Sequence, residues 1–373
     1  MTMKIGILTF HCARNIGAQL QAFALLKTLE KLAPPNSVVE FIRYEPKYLI
    51  RPYRFLRFVN LQYGLLSVLK QTILHLVFDI PIYLKTRCHY ARFQKKYFKL
   101  SQKSYSDVSE LTSSSYNKIF VGSDQIWNPE ITEGKLDSFY TLNFSSKIIQ
   151  KFSYAASLSV NNISEDCLKL LVKRLESFNK VSVRENTVKK ILERKSKLKI
   201  RTVLDPTLLL NRAEWNSYIA KEPIIKEPYV LVFQARGSKD EILNIVNNYA
   251  KANNLAIVDA SNFAKRCSKY RMSFVSPIEF LNLVKYADTV FSLSFHGTAL
   301  SIILEKPFYS INYNDGRDGR VVNLLHELGI ETQLCSLDEN IVVKPQIDYS
   351  LIDSKLDNLR RESLSFLQEC LNL

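Results

Sequence analysis

Short apolar runs alternate with longer segments whose apolar residues recur every three or four positions, and this alternation constrains the fold most. The first example is an apolar run from Ile5 to Phe10, followed by an amphipathic helix that Ala33-Pro34-Pro35 ends, and by a strand from Val38 to Tyr44. Strands that alternate with helices favour a parallel sheet with helices on both faces. The pattern therefore predicts an α/β fold.

The same alternation continues along most of the chain. Further strands are predicted at 118–122, 151–155, 181–183, 229–233, 256–259, 289–293 and 308–311. Further helices are predicted at 164–178, after 185, and at 239–253, 298–304, 321–328 and 351–371. The sequence Ser276-Pro277-Ile278-Glu279 is a capping box with proline at the first helical position, so another helix begins there and runs to about Tyr286.

Two series of strands and helices in 373 residues indicate two domains. We predict a Rossmann-like domain over 1–205, a second one over 206–350, and a C-terminal helix over 351–373 that crosses back to the first domain. Two doubly wound domains with a crossing helix form a glycosyltransferase-B-like architecture.

Residues 47–100 interrupt the alternation and carry much of the formal net charge of +15. Against a single acid, Asp79, this segment contains Lys47, Arg51, Arg54, Arg57, Lys70, Lys85, Arg87, Arg92, Lys95, Lys96 and Lys99. Mixed with Leu, Phe and Tyr, these residues predict a helical basic insertion in the first domain. It is either a surface that docks on the inner face of the plasma membrane or a solvated basic face. It has no nucleic-acid-binding motif, and we expect no nucleic-acid partner.

Membrane spans, disulfides and metal sites are not expected. The apolar run from Leu65 to Leu84 contains Lys70, His75 and Asp79, which a spanning helix would have to bury. The six cysteines are scattered without close pairs, which argues against a zinc site or a disulfide framework and fits a reducing compartment. A cytoplasmic protein is expected.

In open α/β sheets, ligands bind beyond the carboxyl ends of strands. Three polar segments occupy that position, at 11–19, 122–128 and 292–298. His296 follows a strand, and Gly297 lets the chain turn into the next helix. An imidazole placed there suits general acid or base chemistry, although a hydrogen-bonded histidine at a helix start is the alternative.

The other two segments and a strand end supply further candidates. Asn15-Ile16-Gly17-Ala18 either binds a phosphate or a sugar hydroxyl, with His11 as a secondary candidate, or is a plain helix start. Gly122-Ser-Asp-Gln-Ile-Trp-Asn-Pro129 combines polar groups with an aromatic ring, as sugar sites do, or is a turn with a packed Trp127. Arg184 either holds an anionic ligand or pairs with an acid such as Glu185.

Six motifs together resemble the polysaccharide pyruvyl transferase family. They are Asn15-x-Gly17-Ala18-x-Leu20-Gln21, Val121-Gly-Ser-Asp-Gln-Ile-Trp-Asn128, Phe152-Ser-Tyr-Ala155, Ser182-Val-Arg184-Glu, Leu204-Asp-Pro-Thr207 and Ser292-Leu-Ser-Phe-His-Gly297. The resemblance implies an enzyme that transfers a pyruvyl group from phosphoenolpyruvate to a sugar of a bacterial surface polysaccharide, or to its lipid-linked precursor, and forms a ketal. It implies no cofactor or metal beyond phosphoenolpyruvate as co-substrate.

The resemblance also implies roles for individual residues. His296 is the expected catalytic acid or base. The expected donor-binding residues are Arg184, Ser294, Gly297, Thr298 and Arg320. The expected acceptor-binding residues are Asn15, Gly17, Gln21, Ser123, Asp124, Gln125 and Trp127.

One position departs from the family pattern. Many members have Ser-x-Arg-x-His-Gly where this chain has Ser294 in place of the arginine. Loss of a charge-assisted contact removes on the order of 2 kcal/mol of anion binding. Another cation is expected to compensate, and the candidates are Arg236, Lys306, Arg317 and Arg320, with Arg320 placed first.

Two other functions remain open at this stage. A glycosyltransferase with an activated sugar donor would have the same fold, but such enzymes often place a ribose-binding glutamate where this chain has Leu300. A nonenzymatic binder of anionic membranes would use the basic insertion.

Overall fold

The computed structural model describes residues 2–50, 80–158, 163–234, 240–261, 268–273, 275–312, 319–337, 339 and 341–373. Its strands form two sheets, and each strand that pairs with a neighbour does so in parallel. Most of the predicted insertion, residues 51–79, lies outside the described residues.

The first sheet has seven strands in the order β3-β2-β1-β4-β5-β6-β7. These strands are β1 (Lys4–Leu8), β2 (Val38–Arg43), β3 (Leu100–Ser104), β4 (Lys118–Val121), β5 (Gln150–Ala156), β6 (Lys180–Val183) and β7 (Ile200–Thr202). The helices of this part are α1 (Ile16–Leu32), α2 (Lys47–Ile50), α3 (Ile80–Tyr97), α4 (Glu165–Leu175), α5 (Asn186–Arg194) and α6 (Arg212–Asn216), with 3-10 turns at Val108–Ser113 and Pro206–Leu208.

The second sheet has six strands in the order β10-β9-β8-β11-β12-β13. These strands are β8 (Tyr229–Phe233), β9 (Ala256–Asp259), β10 (Tyr270–Arg271), β11 (Thr289–Ser292), β12 (Phe308–Ile311) and β13 (Leu334–Cys335). The helices are α7 (Asp240–Ala252), α8 (Pro277–Tyr286), α9 (Phe295–Ile303), α10 (Gly319–Leu328) and α11 (Tyr349–Asn372), with a 3-10 turn at Glu331–Gln333.

Both sheets show the doubly wound order, in which the first strand lies in the middle and the chain reverses direction beside it. The prediction of two Rossmann-like domains is therefore confirmed, whereas the exact limits at 205 and 350 stay a prediction. The strands are apolar because helices cover both faces of each sheet. Residues of β4, for example, are all buried.

The C-terminal helix α11 crosses from the second domain to the first, in a glycosyltransferase-B-like arrangement. Glu369 near its end forms ion pairs with Lys180 at 2.5 Å and Arg201 at 2.8 Å. Lys118 Nζ donates to the carbonyl of Cys370 at 3.0 Å, and the backbone N–H of Leu204 donates to Ser363 Oγ at 2.9 Å. The helix thus ties its own domain to β4, β6 and β7 of the first sheet.

The structure corrects the prediction that α1 is amphipathic. Thirteen of its seventeen residues are buried, because the helix lies between the first sheet and the second domain and packs against both. Phe23, for example, contacts Trp215 with 5.7 Å between ring centroids. A helix covered on both sides loses the polar face that a surface helix presents to water.

The start of α9 is also corrected. The helix begins at Phe295 after the extended residue Ser294, so Gly297 lies inside the helix and does not form a turn before it. A side chain at position 297 would collide with Ser292, since a Cβ would lie 2.3 Å from Ser292 Oγ. Gly297 therefore allows the helix to pack closely on the preceding strand.

Four short strands, β3, β7, β10 and β13, were not predicted. All lie on the outer side of a sheet, β3 and β7 at the two edges of the first and β10 and β13 at the two edges of the second. β3 also ends the basic insertion at Leu100 and carries the polar sequence Leu-Ser-Gln-Lys-Ser, which lacks the apolar run of a buried strand. Edge strands have one open side and need less apolar sequence.

The crossing helix offers a test of this packing. Leu367 is fully buried, and we expect Leu367→Ala to lower the free energy of unfolding by about 2 to 5 kcal/mol, measured by chemical denaturation. Leu351→Ala on the same helix is the matched control. Leu351 is 66% exposed, so its truncation should change stability by no more than about 0.5 kcal/mol. Equal effects of the two variants would contradict the docking of α11.

Candidate active site

The carboxyl ends of the central strands of both sheets converge on one cavity. In the first sheet the chain reverses beside β1 and β4, and in the second beside β8 and β11. The cavity has a volume of about 260 Å³. The polar residues that line it are Asn15, Asp124, Gln125, Ser292, Ser294, His296, Ser310 and Arg320. All three segments that the sequence predicted to meet contribute to this wall.

His296 lies in the first turn of α9 and is only 6% exposed. Its Nδ1 packs against α1, where a Cβ added to Gly17 would lie 2.2 Å from this nitrogen. Its Nε2 lies 3.8 Å from Asp205 Oδ2 and has no hydrogen-bond partner among the described residues. Nε2 is therefore a buried nitrogen that faces the carboxylate of Asp205.

Burial lowers the pKa of His296 below its ordinary value. The charges of Asp205 and Asp124 oppose this shift, whereas those of Arg184 and Arg320 add to it. The imidazole is therefore neutral at pH 7 in the free protein. An anion bound in the cavity would raise its pKa, because a negative charge favours the protonated ring.

Asp205 is fully buried and is the centre of a polar network. Its Oδ2 accepts hydrogen bonds from Arg184 Nη1 at 2.7 Å and Ser123 Oγ at 3.0 Å. Its Oδ1 accepts from the N–H and the hydroxyl of Thr207 at 3.0 and 2.7 Å. Burial raises the pKa of Asp205, but His296, Arg184 and Thr207 outweigh this effect and lower it to about 2.

Arg184, at the end of β6, is buried between two carboxylates and an aromatic ring. Its Nε donates to Glu185 Oε1 at 3.1 Å, and Ser157 holds the same oxygen at 2.6 Å. The guanidinium lies over Phe295 of α9, 4.8 Å from the ring centroid. Burial lowers the pKa of Arg184, but Glu185 and Asp205 raise it by more, so the side chain stays protonated. Its Nη2 is buried and has no partner among the described residues.

Arg184 thus fulfils the pairing alternative that the sequence left open, and it does not line the cavity itself. Asp205 and Phe295 were missed as site residues by sequence reasoning. Asp205 belongs to the motif Leu204-Asp-Pro-Thr207, which was recognised without a role for the carboxylate. The proline and threonine after it form the 3-10 turn that fixes it, with Asp205 as N-cap.

The loop after β4 brings Ser123, Asp124 and Gln125 to the site in different ways. Gly122 has φ +121°, and a Cβ there would lie 2.0 Å from the carbonyl oxygen of Tyr154, so only glycine fits. Ser123 is buried and bound to Asp205, and only Asp124 and Gln125 line the cavity. Asp124 has φ +71° and accepts a hydrogen bond from the N–H of Gln125 at 2.8 Å.

Several predicted ligand-binding residues do not reach the cavity. Trp127 is fully buried and its Nε1 donates to the carbonyl of Tyr140 at 2.9 Å, so it is the packed tryptophan of the alternative interpretation. Gln21 is also buried and donates to Thr9 Oγ1 at 2.8 Å. Thr298 Oγ1 is bonded to Ser310 Oγ at 2.6 Å. The sequence pattern predicted these side chains to bind a ligand, but each of them is bonded to another group of the protein instead.

Asn15 is the N-cap of α1 and accepts a hydrogen bond from the N–H of Ala18 at 3.0 Å, yet it also lines the cavity. Gly17 has no side chain, and α1 can therefore approach His296 closely. His11 is buried beside Phe41, and burial lowers its pKa to about 4. It is not among the residues that line the cavity.

Of the cations proposed to compensate for Ser294, Arg320 lines the cavity, and its charge lowers the pKa of His296. Lys306 does not line it, and its carbonyl accepts a hydrogen bond from Tyr349. Arg236 and Arg317 lie outside the described residues.

Ser294 makes no side-chain capping bond to α9, whose first helical bond runs from the N–H of Thr298 to the Ser294 carbonyl. The N–H groups of residues 295–297 are therefore outside the helical ladder.

Within the described ranges, no group of three or more His, Cys, Asp or Glu residues is placed to hold a metal ion. In the same part of the chain, no helix combines the length and the apolar character needed to cross a membrane. Cys12, Cys88, Cys167, Cys335 and Cys370 are free thiols. Cys267 lies outside the described residues.

The contact between α1 and His296 can be tested at Gly17. We expect Gly17→Ala to displace the imidazole, because the new methyl would overlap Nδ1, and to lower the free energy of unfolding by about 1 to 3 kcal/mol. The measurement is the NMR shift of the His296 ring, assigned by loss of its signal in His296→Gln, together with denaturation. Gly319→Ala is the control, since no heavy atom lies within 4 Å of a Cβ there. An unchanged ring signal in Gly17→Ala would contradict the contact.

Several solved structures match this chain over most of its length. UDP-GlcNAc 2-epimerase from Methanocaldococcus jannaschii, solved with UDP-GlcNAc and UDP, is 15% identical with a TM-score of 0.44, covering 96% of this chain and 99% of its own. UDP-N-acetylglucosamine 2-epimerase from Rickettsia bellii is 12% identical with a TM-score of 0.44, covering 98% of each. Glycyrrhiza uralensis UGT73P12 is 9% identical with a TM-score of 0.44, covering 100% of this chain and 90% of its own. These values are too low to assign a ligand or a reaction to this chain.

None of the curated proteins matches the sequence. The family model described as polysaccharide pyruvyl transferase matches residues 15–315, from the N-cap of α1 to beyond β12, a span that includes Gly17, Arg184, Asp205 and His296. This match covers most of the chain and agrees with the motifs read from the sequence. The chain therefore belongs to the polysaccharide pyruvyl transferase family and is a transferase.

Proposed function

We propose that this enzyme transfers the pyruvyl group of phosphoenolpyruvate to two hydroxyls of a sugar in a surface polysaccharide or its lipid-linked precursor, and forms a cyclic ketal. The observation that carries the proposal is a small cavity lined by the buried His296, by Arg320 and by Phe295, with the guanidinium of Arg184 packed on the Phe295 ring. Its volume of about 260 Å³ is below the roughly 300 to 1,000 Å³ of pockets for larger ligands and suits a small donor.

Three sources of positive potential suit a donor with a carboxylate and a phosphate. Arg184 lies behind the cavity wall on the ring of Phe295, Arg320 lines the cavity, and the N-terminus of α9 carries N–H groups outside the helical ladder. Helix N-termini bind anions through such groups and through the helix dipole. These features would substitute for the arginine that Ser294 replaces.

The reaction would begin with proton transfer from His296 Nε2 to the methylene carbon of the donor. Binding of the anionic donor raises the pKa of His296, which makes the proton available. The C2 centre then carries positive charge and is attacked by the first sugar hydroxyl. That hydroxyl's proton leaves on the phosphate when the C2–O bond to phosphate breaks.

The second sugar hydroxyl then attacks C2 and closes the ring, and its proton returns to His296 Nε2. Per turnover, the methylene carbon gains one proton, two C–O bonds form, and one C–O bond to phosphate breaks. Hydrogen phosphate leaves with the proton of the first hydroxyl. No external acid, oxidant or metal ion is needed for this balance.

Acceptor hydroxyls would bind at Asn15, Asp124 and Gln125, which lie opposite α9 in the cavity wall. Docking of the basic insertion at the inner membrane surface is a further part of the proposal and would bring the enzyme to a lipid-linked acceptor. Most of that segment lies outside the described residues, so its support is the sequence alone.

The donor assignment is tested by mixing the enzyme with phosphoenolpyruvate and a panel of lipid-linked or p-nitrophenyl sugars. We expect phosphate release together with a pyruvyl mass increment on the sugar, and a loss of about 10² to 10⁴-fold in kcat for His296→Asn. His326→Asn is the control, because this histidine is exposed on α10. Silence with every acceptor, alongside turnover of a nucleotide sugar, would favour the glycosyltransferase alternative.

Arg320 provides a second test, of donor binding alone. We expect Arg320→Gln to raise KM for phosphoenolpyruvate about tenfold, because one charge-assisted contact to the donor is worth roughly 1.5 to 3 kcal/mol. Arg194→Gln is the control with the same change in net charge, since Arg194 is exposed in the last turn of α5. A KM that changes equally in both variants would show that only the overall charge matters.

A further inference from the structure

We infer that Asp205 is a positioning residue of the transfer reaction, which orients Arg184 toward the donor and stabilises His296 in its proton-donating form through the single oxygen Oδ2. The inference rests on the proposed function for its kinetic consequences. Its geometric basis is independent of the donor.

The two oxygens of Asp205 have separate tasks. Oδ1 is held by the N–H and the hydroxyl of Thr207, at 3.0 and 2.7 Å, which fixes the rotation of the carboxylate. Oδ2 then faces Ser123, Arg184 and His296 at 3.0, 2.7 and 3.8 Å. A carboxylate that needed only to be neutralised would not require both contacts from Thr207.

These neighbours come from distant parts of the chain. Ser123 follows β4, Arg184 ends β6, and His296 belongs to α9 of the second domain. Arg184 also crosses the domain boundary, because its guanidinium lies over the ring of Phe295, the residue before His296. Among the described residues, Asp205 is therefore the carboxylate that contacts the donor-binding arginine and also approaches the catalytic histidine.

The distance of 3.8 Å between Asp205 Oδ2 and His296 Nε2 is too long for a hydrogen bond. It is short enough for a charge interaction in a buried site, where the effective dielectric constant is low. Asp205 would thus stabilise the imidazolium without receiving its proton. Nε2 is buried and no described residue is bonded to it, so delivery of its proton requires the donor to reach this edge of the ring.

Besides its burial, four charged groups within the described ranges have the largest effects on the pKa of His296. Asp205 and Asp124 favour the protonated ring, and Arg184 and Arg320 disfavour it. Of the two acids, Asp205 has the larger effect. Its own pKa is lowered to about 2, so it stays ionised across the pH range in which an assay can be run.

The other carboxylate on Arg184 supplies a matched control. Glu185 Oε1 accepts from Arg184 Nε at 3.1 Å, as Asp205 accepts from Nη1. It does not figure among the groups that act on His296. Removing the charge of Glu185 should disturb the position of Arg184 without changing the pKa of His296.

The experiment compares Asp205→Asn with Glu185→Gln. The first measurement is an NMR titration of the His296 ring without donor. We expect a lower pKa in Asp205→Asn and an unchanged one in Glu185→Gln, because only the first variant removes a negative charge facing Nε2. The second measurement is kcat and KM against pH with phosphoenolpyruvate.

In the kinetic measurement we expect Asp205→Asn to lower kcat about 10²-fold and to move the alkaline limb of the kcat profile to lower pH. The sign follows from the acid role: activity is lost as pH rises through the pKa of His296, and this pKa falls without Asp205. Glu185→Gln should raise KM about tenfold and leave the limb in place. Equal profiles in the two variants would overturn the positioning role.

Asp205→Asn could fail to fold, because both carboxylate oxygens accept hydrogen bonds and the NH₂ group of asparagine would face donors in place of one of them. Thr207→Val is then the second variant, because it removes one hydrogen bond to Oδ1 and no charge. We expect kcat to fall about tenfold with KM nearly unchanged, and an unchanged kcat would overturn the role. If the titration behaves as expected but phosphoenolpyruvate is not turned over, the proposed function fails and the contact between Asp205 and His296 stands.

Discussion

The ion pair between Asp205 and Arg184 joins two buried charges at the point where both domains meet. Burying a carboxylate and a guanidinium costs several kcal/mol per ion unless hydrogen bonds and charges surround them. Thr207, Ser123 and Glu185 supply most of these partners, at distances from 2.7 to 3.1 Å. One guanidinium nitrogen, Nη2, has no partner among the described residues.

The geometry of the two sheets brings this pair to His296. The six strands of the second sheet repeat the order of the first six strands of the first sheet, and each sheet presents its switch point to the other. The N-termini of α1 and α9 therefore meet at the cavity, and Gly17 allows the backbone of one to touch the imidazole on the other. The crossing helix α11 holds the arrangement from the far side through Glu369 and Ser363. The packing of the two domains against each other therefore also fixes the position of the His296 imidazole.

Much of the fold follows from local pattern. The buried strands of both sheets, the capping box at Ser276 and the helix start at Asn15 all depend on residues close in sequence, and all were predicted. The short outer strands were missed because pairing on one side needs little apolar sequence. The burial of α1 on both sides was not predicted. A helix between two domains is covered by both of them, and the apolar periodicity of its own sequence carries no information about the second domain.

The candidate site, like the fold, was predicted from the sequence only in part. The sequence by itself determined that His296, Arg184, Asp124 and Asn15 follow strands, where the ends of parallel strands bring ligand-binding residues together. Only the tertiary structure decided that Asp205 lies beside His296 and that Trp127 is packed inside. The bond from Ser123 to Asp205 spans 82 residues of sequence, and the contact with His296 crosses from one domain to the other. Which polar group faces a cavity and which is bonded inside depends on such distant partners, and no local pattern encodes them.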